Sequence, residues 1–268
     1  MKNACFKALP AILITGLLFS TGAHSANWTL DANGASFDYL HESTSLGNKT
    51  SNLTVTEAIE DLSGTGYVLR ADSGESTLSS SGTVVSQSYQ HLIAVDAGST
   101  PGVVTVELSL SHALDAVAGS TPSSLWGTVL TQDLALSGLK LTVSGDAGEA
   151  PGSAVMVTFT GLASVLANPL PGASEMGLGL SFVGATGQVL ASYDGYWTGS
   201  ADQPITLSFG AVVGDVIELS LWGHHDATQG VGINLAAGGV YGASYTSVLS
   251  GQLSVSAVPE PDAAWLLL

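Results

Sequence analysis

The stretch Val103-Val104-Thr105-Val106-Glu107-Leu108-Ser109-Leu110 decides the fold class. Val104, Val106, Leu108 and Leu110 alternate with Thr105, Glu107 and Ser109, the two-residue period of a strand with one buried face. Working outward, the same period recurs at Leu139-Val143, with Lys140 and Thr142 on the other face, and at Val155-Phe159, with Met156 and Thr158. It returns at Ile205, Leu207 and Phe209, at Ile217, Leu219 and Leu221, and from Leu249 to Val255. Shorter candidates are Leu53-Thr56, Tyr67-Ala71, His91-Val95, Met176-Val183 and Gln188-Tyr193. Turn dipeptides such as Pro101-Gly102, Pro151-Gly152 and Asp194-Gly195 punctuate them. Many short strands with a polar outer face predict an all-β, jelly-roll-like β-sandwich over residues 26–257. Two smaller sandwiches meeting near Gly145-Gly152 are the alternative. Glu57-Leu62 and His112-Val117 have room for a helical turn each, and Gly210-Asp215 has the length of a hairpin loop.

Composition bounds the function. Lys2 and Lys7 precede an uncharged apolar run, Ala8 to Phe19, and Ala23-His24-Ser25 offers small residues for cleavage between Ser25 and Ala26. Residues 1–25 therefore form a secretory signal peptide, too short in its apolar core for a membrane span. Removing it removes Cys5, the single cysteine, and leaves no thiol or disulfide chemistry. It also leaves three basic residues, Lys49, Arg70 and Lys140, against 22 acidic ones, a formal balance of −19. Nucleic acid binding needs a cationic footprint, so that class of partner is excluded.

Several clusters could carry chemistry. Tyr193-Asp194-Gly195-Tyr196-Trp197 reads as an aromatic loop able to stack on a sugar ring, with Asp194 orienting a hydroxyl. Its competitor is that Tyr193 and Trp197 pack inward and close the sandwich. Trp222-Gly223-His224-His225-Asp226 follows a predicted strand, and His224, His225 and Asp226 are metal-ligand types. Neighbouring residues diverge, however, so no metal site is expected without further ligands. Asp31-Ala32-Asn33-Gly34 and Asp146-Ala147-Gly148-Glu149 resemble calcium loops in composition, yet Asp and Asn are also the default turn residues. No cofactor is expected beyond that calcium option. Glu57, Glu60 and Asp61 would share a helical face, the one feature that favours a glycan-cleaving enzyme.

The chain ends Val258-Pro259-Glu260-Pro261-Asp262-Ala263-Ala264-Trp265-Leu266-Leu267-Leu268. Two prolines flanking a glutamate stop any strand, and the apolar residues that follow open a helix. Together with the signal peptide, this end resembles the PEP-CTERM proteins of Gram-negative bacteria. The resemblance covers about eleven residues and places the sorting motif on Val258, Pro259, Glu260 and Pro261. It implies Sec export, processing by an exosortase-type enzyme and an association with exopolysaccharide or biofilm. A membrane helix needs about twenty apolar residues and the family adds an arginine-rich tail, so residues 258–268 read as a truncated signal. Transient inner-membrane anchoring requires the missing helix. The resemblance supplies an address and no chemistry. The expectation is a secreted, non-catalytic cell-surface or extracellular-matrix protein, with a carbohydrate-binding module as first alternative and a secreted glycan-cleaving enzyme as second.

Overall fold

The computed structural model describes residues 26–45, 48–58, 67–80, 83–125, 129–145, 150–168, 173–228 and 233–258. The signal peptide up to Ser25, the sorting residues Pro259 to Pro261, and Glu60, Asp61 and 146–149 fall outside them. All regular structure among the described residues is strand: β1 (Asn27–Asp31), β2 (Ser36–Ser45), β3 (Asn48–Ala58), β4 (Tyr67–Ser80), β5 (Thr83–Thr100), β6 (Val103–Ala118), β7 (Ser123–Leu125) and β8 (Val129–Ser144) come first. They are followed by β9 (Ala154–Asn168), β10 (Ala173–Gly184), β11 (Val189–Trp197), β12 (Ala201–Val212), β13 (Val216–Thr228), β14 (Ile233–Leu235) and β15 (Val240–Ala257). No helix among the described residues is long and apolar enough to cross a membrane.

Two antiparallel sheets pack face to face. One runs β11-β10-β13-β8-β2-β3 with β1 also on β8, and the other runs β12-β9-β15-β6-β5-β4. The pairings β10·β11, β9·β12, β8·β13, β7·β14 and β6·β15 nest inside one another. A long hairpin closed at β10–β11 and then rolled over itself gives this order, which is the jelly roll. Strands β2–β3 and β4–β5 widen the two sheets on the far side.

The alternation seen in the sequence is the cause. In β6 every second residue from Val104 to Ala118 is buried, while Glu107, Asp115 and Val117 are exposed. One buried cluster extends from Ala26 to Val255 and includes a run of rings, Phe159, Phe182 and Phe209, at centroid spacings of 6.1 and 5.4 Å. Strand β8 serves β1 and β2 in tandem, and Gly138, at φ +75°, sits where it passes between them. A Cβ there would lie 2.6 Å from the Gly34 carbonyl oxygen in the β1–β2 turn, so only glycine fits.

Three local expectations are overturned. His112-Val117 is strand throughout, paired with β15 on one side and β5 on the other. Glu57 lies in β3 opposite Phe37, so it is not on a helical face with Glu60 and Asp61. The segment Gly210–Asp215 makes no hairpin, because β12 and β13 belong to different sheets and the segment carries the chain across the end of the sandwich.

Candidate functional site

The outer face of the seven-stranded sheet carries the one aromatic platform evident among the described residues, and glycines build it. In β10, Met176, Leu178, Leu180 and Phe182 point to the core, which sends the intervening Gly177 and Gly179 outward. Gly179 stands opposite Asp194 of β11 and Trp222 of β13, and Gly177 stands opposite Tyr196 and His224. The Trp222 indole lies across the bare backbone of β10. A Cβ on Gly179 would meet Trp222 Nε1 at 2.1 Å, and one on Gly177 would meet Cζ3 at 2.6 Å. The Trp222 indole N–H donates to Asp194 Oδ1 at 3.0 Å, which pins the ring in that pose. Tyr196, 61% exposed, sits beside it at 5.3 Å between ring centroids with the planes 38° apart. The result is a two-ring surface held in place before any ligand arrives.

Polar groups rim the rings. His224 Nδ1 lies 2.5 Å from Asp133 Oδ1, its cross-strand neighbour on β8. This hydrogen bond to Asp133 is the main reason the imidazole pKa is raised; partial burial opposes it, and the charges of Asp133, Asp226 and Glu175 add to it. Asp194 is exposed and, with Oδ1 engaged by the indole, offers Oδ2 to a hydroxyl.

The sequence clusters are thereby divided. Tyr193-Trp197 is not a loop but edge strand β11, and alternation splits it. Asp194 and Tyr196 face the platform. Tyr193 and Trp197 pack against the core, where both would collide with a Cβ on Gly195, at 2.5 Å each. Burial, and secondarily the charge of Asp194, raises the Tyr193 pKa. The run Trp222–Asp226 is likewise inside a strand, β13, rather than after one. His224 and Asp226 face outward, while His225 is buried, with Nε2 at 2.6 Å from Ser247 Oγ. Burial first, then repulsion from His224 and His91, lowers its pKa to about 3. No group of three or more metal-ligand side chains comes together among the described residues, so His224, His225 and Asp226 do not converge. At Asp31 the carboxylate Oδ1 accepts the Asn33 N–H at 2.9 Å, and Ala35 N–H donates to the Ala32 carbonyl at 3.0 Å; the group makes a turn.

Sequence reasoning missed the pairing of Trp222 with Tyr196. The signal available was the Gly177-x-Gly179 spacing, which bares one face of a strand beside an aromatic residue. A depression lies elsewhere, on the outer face of the six-stranded sheet. It measures about 550 Å³ and is lined by residues such as Ser88, Gln90, Ser111, Ser244 and Thr246. Hydroxyls of that kind bind water as readily as a sugar, so the rigid aromatic face is the stronger candidate.

No family model matches the chain, and no curated protein matches it. Among solved structures, a CBM4 structure is similar at 10% identity and a TM-score of 0.19, over 71% of this chain and 87% of that one. An arabinose-bound GH51 α-L-arabinofuranosidase reaches 12% identity and 0.20, over 68% of this chain and 23% of that one. A structure of infectious bursal disease virus, Gt strain, reaches 9% and 0.23, over 91% and 68%. Likenesses this faint carry no argument about function.

Proposed function

We propose that this chain is an exported, non-catalytic carbohydrate-binding protein of the cell surface or extracellular matrix. The observation that carries the reading is the Trp222–Tyr196 platform, laid over Gly177 and Gly179 and pinned by Asp194. Sugar rings present flat C–H faces edged with hydroxyls, and they are held by an apolar platform with a few fixed polar groups around it. Asp194 on β11 and the His224–Asp133 pair on β13 and β8 supply those groups around the rings. Stacking one sugar face on the indole removes on the order of 100 Å² of apolar surface from water, about 2.5 kcal/mol before ordering costs.

Export and sorting rest on residues 1–25 and on Val258 to Pro261, whose pattern supports passage through the Sec route and recognition by an exosortase-type enzyme. Val258 N–H donates to the Ala154 carbonyl at 3.1 Å, so the first residue of the motif is tied to the start of β9.

Affinity electrophoresis through gels containing neutral polysaccharides tests the binding reading. Wild type is expected to be retarded by at least one such polymer, and Trp222→Ala to lose roughly tenfold or more in affinity. Wild-type retardation by Trp222→Ala would remove the platform, and turnover of the polymer would remove the non-catalytic assignment.

A further inference from the structure

The platform stands in a field of carboxylates. Facing outward on the strands around the rings are Asp194 of β11, Glu175 of β10, Asp226 of β13, and Asp133 and Asp38 on β8 and β2. Glu175 and Asp226 are direct cross-strand partners, one row beyond Gly177 and His224. Cross-strand neighbours are about 5 Å apart, so two carboxylates share one end of the platform. The Asp133 carboxylate is 47% exposed, and Glu175 and Asp194 are exposed as well. The basic residue described on this face, Lys140, lies seven residues along β8 from Asp133 and opposite Glu218. Seven residues of strand span about 23 Å, well beyond a Debye length at physiological salt. At the rings themselves the single basic group among the described residues is His224, hydrogen-bonded to Asp133.

From this arrangement we infer the substrate class of the same site: an amino-sugar polysaccharide carrying free, protonated amines. This rests on the platform reading above. An ammonium group on a stacked sugar ring would lie within reach of the Glu175–Asp226 pair or of Asp194 Oδ2, while the ring faces of Trp222 and Tyr196 add cation–π attraction. A uronic-acid polymer would bring its carboxylates against five others and is disfavoured by the same charges. A neutral or N-acetylated polymer keeps the stacking and forgoes the charge.

The test is titration calorimetry at pH 6 with three hexasaccharides: glucosamine with free amines, its N-acetylated form, and a uronic acid oligomer. The free-amine oligomer is expected to bind roughly tenfold more tightly than the N-acetylated one at low salt and the uronic acid oligomer least. Raising the salt closes the gap. The double variant Glu175→Gln/Asp226→Asn is expected to bring the first two affinities together. Equal or tighter binding of the N-acetylated oligomer by wild type overturns the inference and leaves the platform standing. So does undiminished preference in the double variant. Equal binding of the free-amine oligomer by Trp222→Ala overturns it too, because attraction to the net charge alone would then account for it. Failure of all three oligomers removes the platform and the inference together.

Discussion

Gly179→Ala isolates the platform with one methyl group. The new Cβ would sit 2.1 Å from Trp222 Nε1, 2.4 Å from Cε2 and 2.8 Å from Asp194 Oδ1. Ordinary contact is about 3.5 Å, so the indole must move by about 1.4 Å. The backbone of β10 is paired on both sides and cannot yield. The ring lifts instead, and its 3.0 Å bond to Asp194 is broken or badly stretched. Overpacking costs about 1–3 kcal/mol, against which the loss of glycine entropy from the unfolded chain returns about 0.4–1. A net destabilisation of about 1–2 kcal/mol lowers Tm by roughly 3–6 °C for a chain of this size. Gly210→Ala, where an added Cβ meets nothing within 4 Å, serves as the control. Thermal unfolding and polysaccharide affinity are measured on both variants. Gly179→Ala is expected to weaken binding roughly tenfold while remaining folded, and Gly210→Ala to match wild type. Wild-type affinity in a Gly179→Ala chain whose indole fluorescence has changed would refute the claim that this ring, in this pose, is the binding surface.

The buried imidazole of His225 titrates at about 3 when folded and near 6.5 when unfolded, so the unfolded chain takes up a proton that the folded one refuses. Its contribution to stability is intact above pH 6.5 and is lost as the pH falls toward 3, at about 1.4 kcal/mol per pH unit. Denaturant melts at pH 6, 5 and 4 are expected to show a shallower loss in His225→Gln than in wild type, and parallel slopes would contradict this assignment. For Asp133→Asn, proton NMR of the His224 ring should find its pKa lowered toward the ordinary value, since the hydrogen bond to Asp133 is the chief cause of the upward shift; an unmoved titration would show that the pairing does not persist in solution. Gly138→Ala places a Cβ 2.6 Å from the Gly34 carbonyl oxygen at a φ of +75°, so urea melts should show a loss of about 1–3 kcal/mol, and a neutral result would mean that the β1–β2 turn moves freely. If residues 1–25 act as the proposed signal peptide, N-terminal sequencing of protein recovered from the medium or cell surface should begin Ala26-Asn27-Trp28, and an intact Met1 start would contradict that reading.

The strands were legible because burial on one face writes a two-residue period into the sequence, as Val104, Val106, Leu108 and Leu110 show. His112-Val117 hid the same period: His112, Leu114 and Ala116 are buried, but histidine and alanine do not advertise burial. Gly210–Asp215 misled because a short loop closes a hairpin and crosses between sheets with equal ease, and loop length does not record which sheet the next strand joins. The candidate site was half legible. Asp194 and Tyr196 stood out as residue types while Trp222 did not, the sequence having offered Trp197 in its place, and divergence of His224 from His225 follows from their adjacency. The contact between Tyr196 and Trp222 depends on β11 and β13 flanking the same strand, β10, a fact of topology that no local window contains.

The most direct test of the account is to watch the Trp222 indole N–H itself. In ¹⁵N-labelled protein titrated with the free-amine hexasaccharide, that resonance, assigned with Trp222→Phe, should shift saturably. The amides of Gly177, Gly179, Asp194, Tyr196 and His224 should shift with it. Saturable shifts confined to the other sheet, around Ser111, Ser244 and Thr246, would contradict the account, as would a Trp222 indole indifferent to bound sugar.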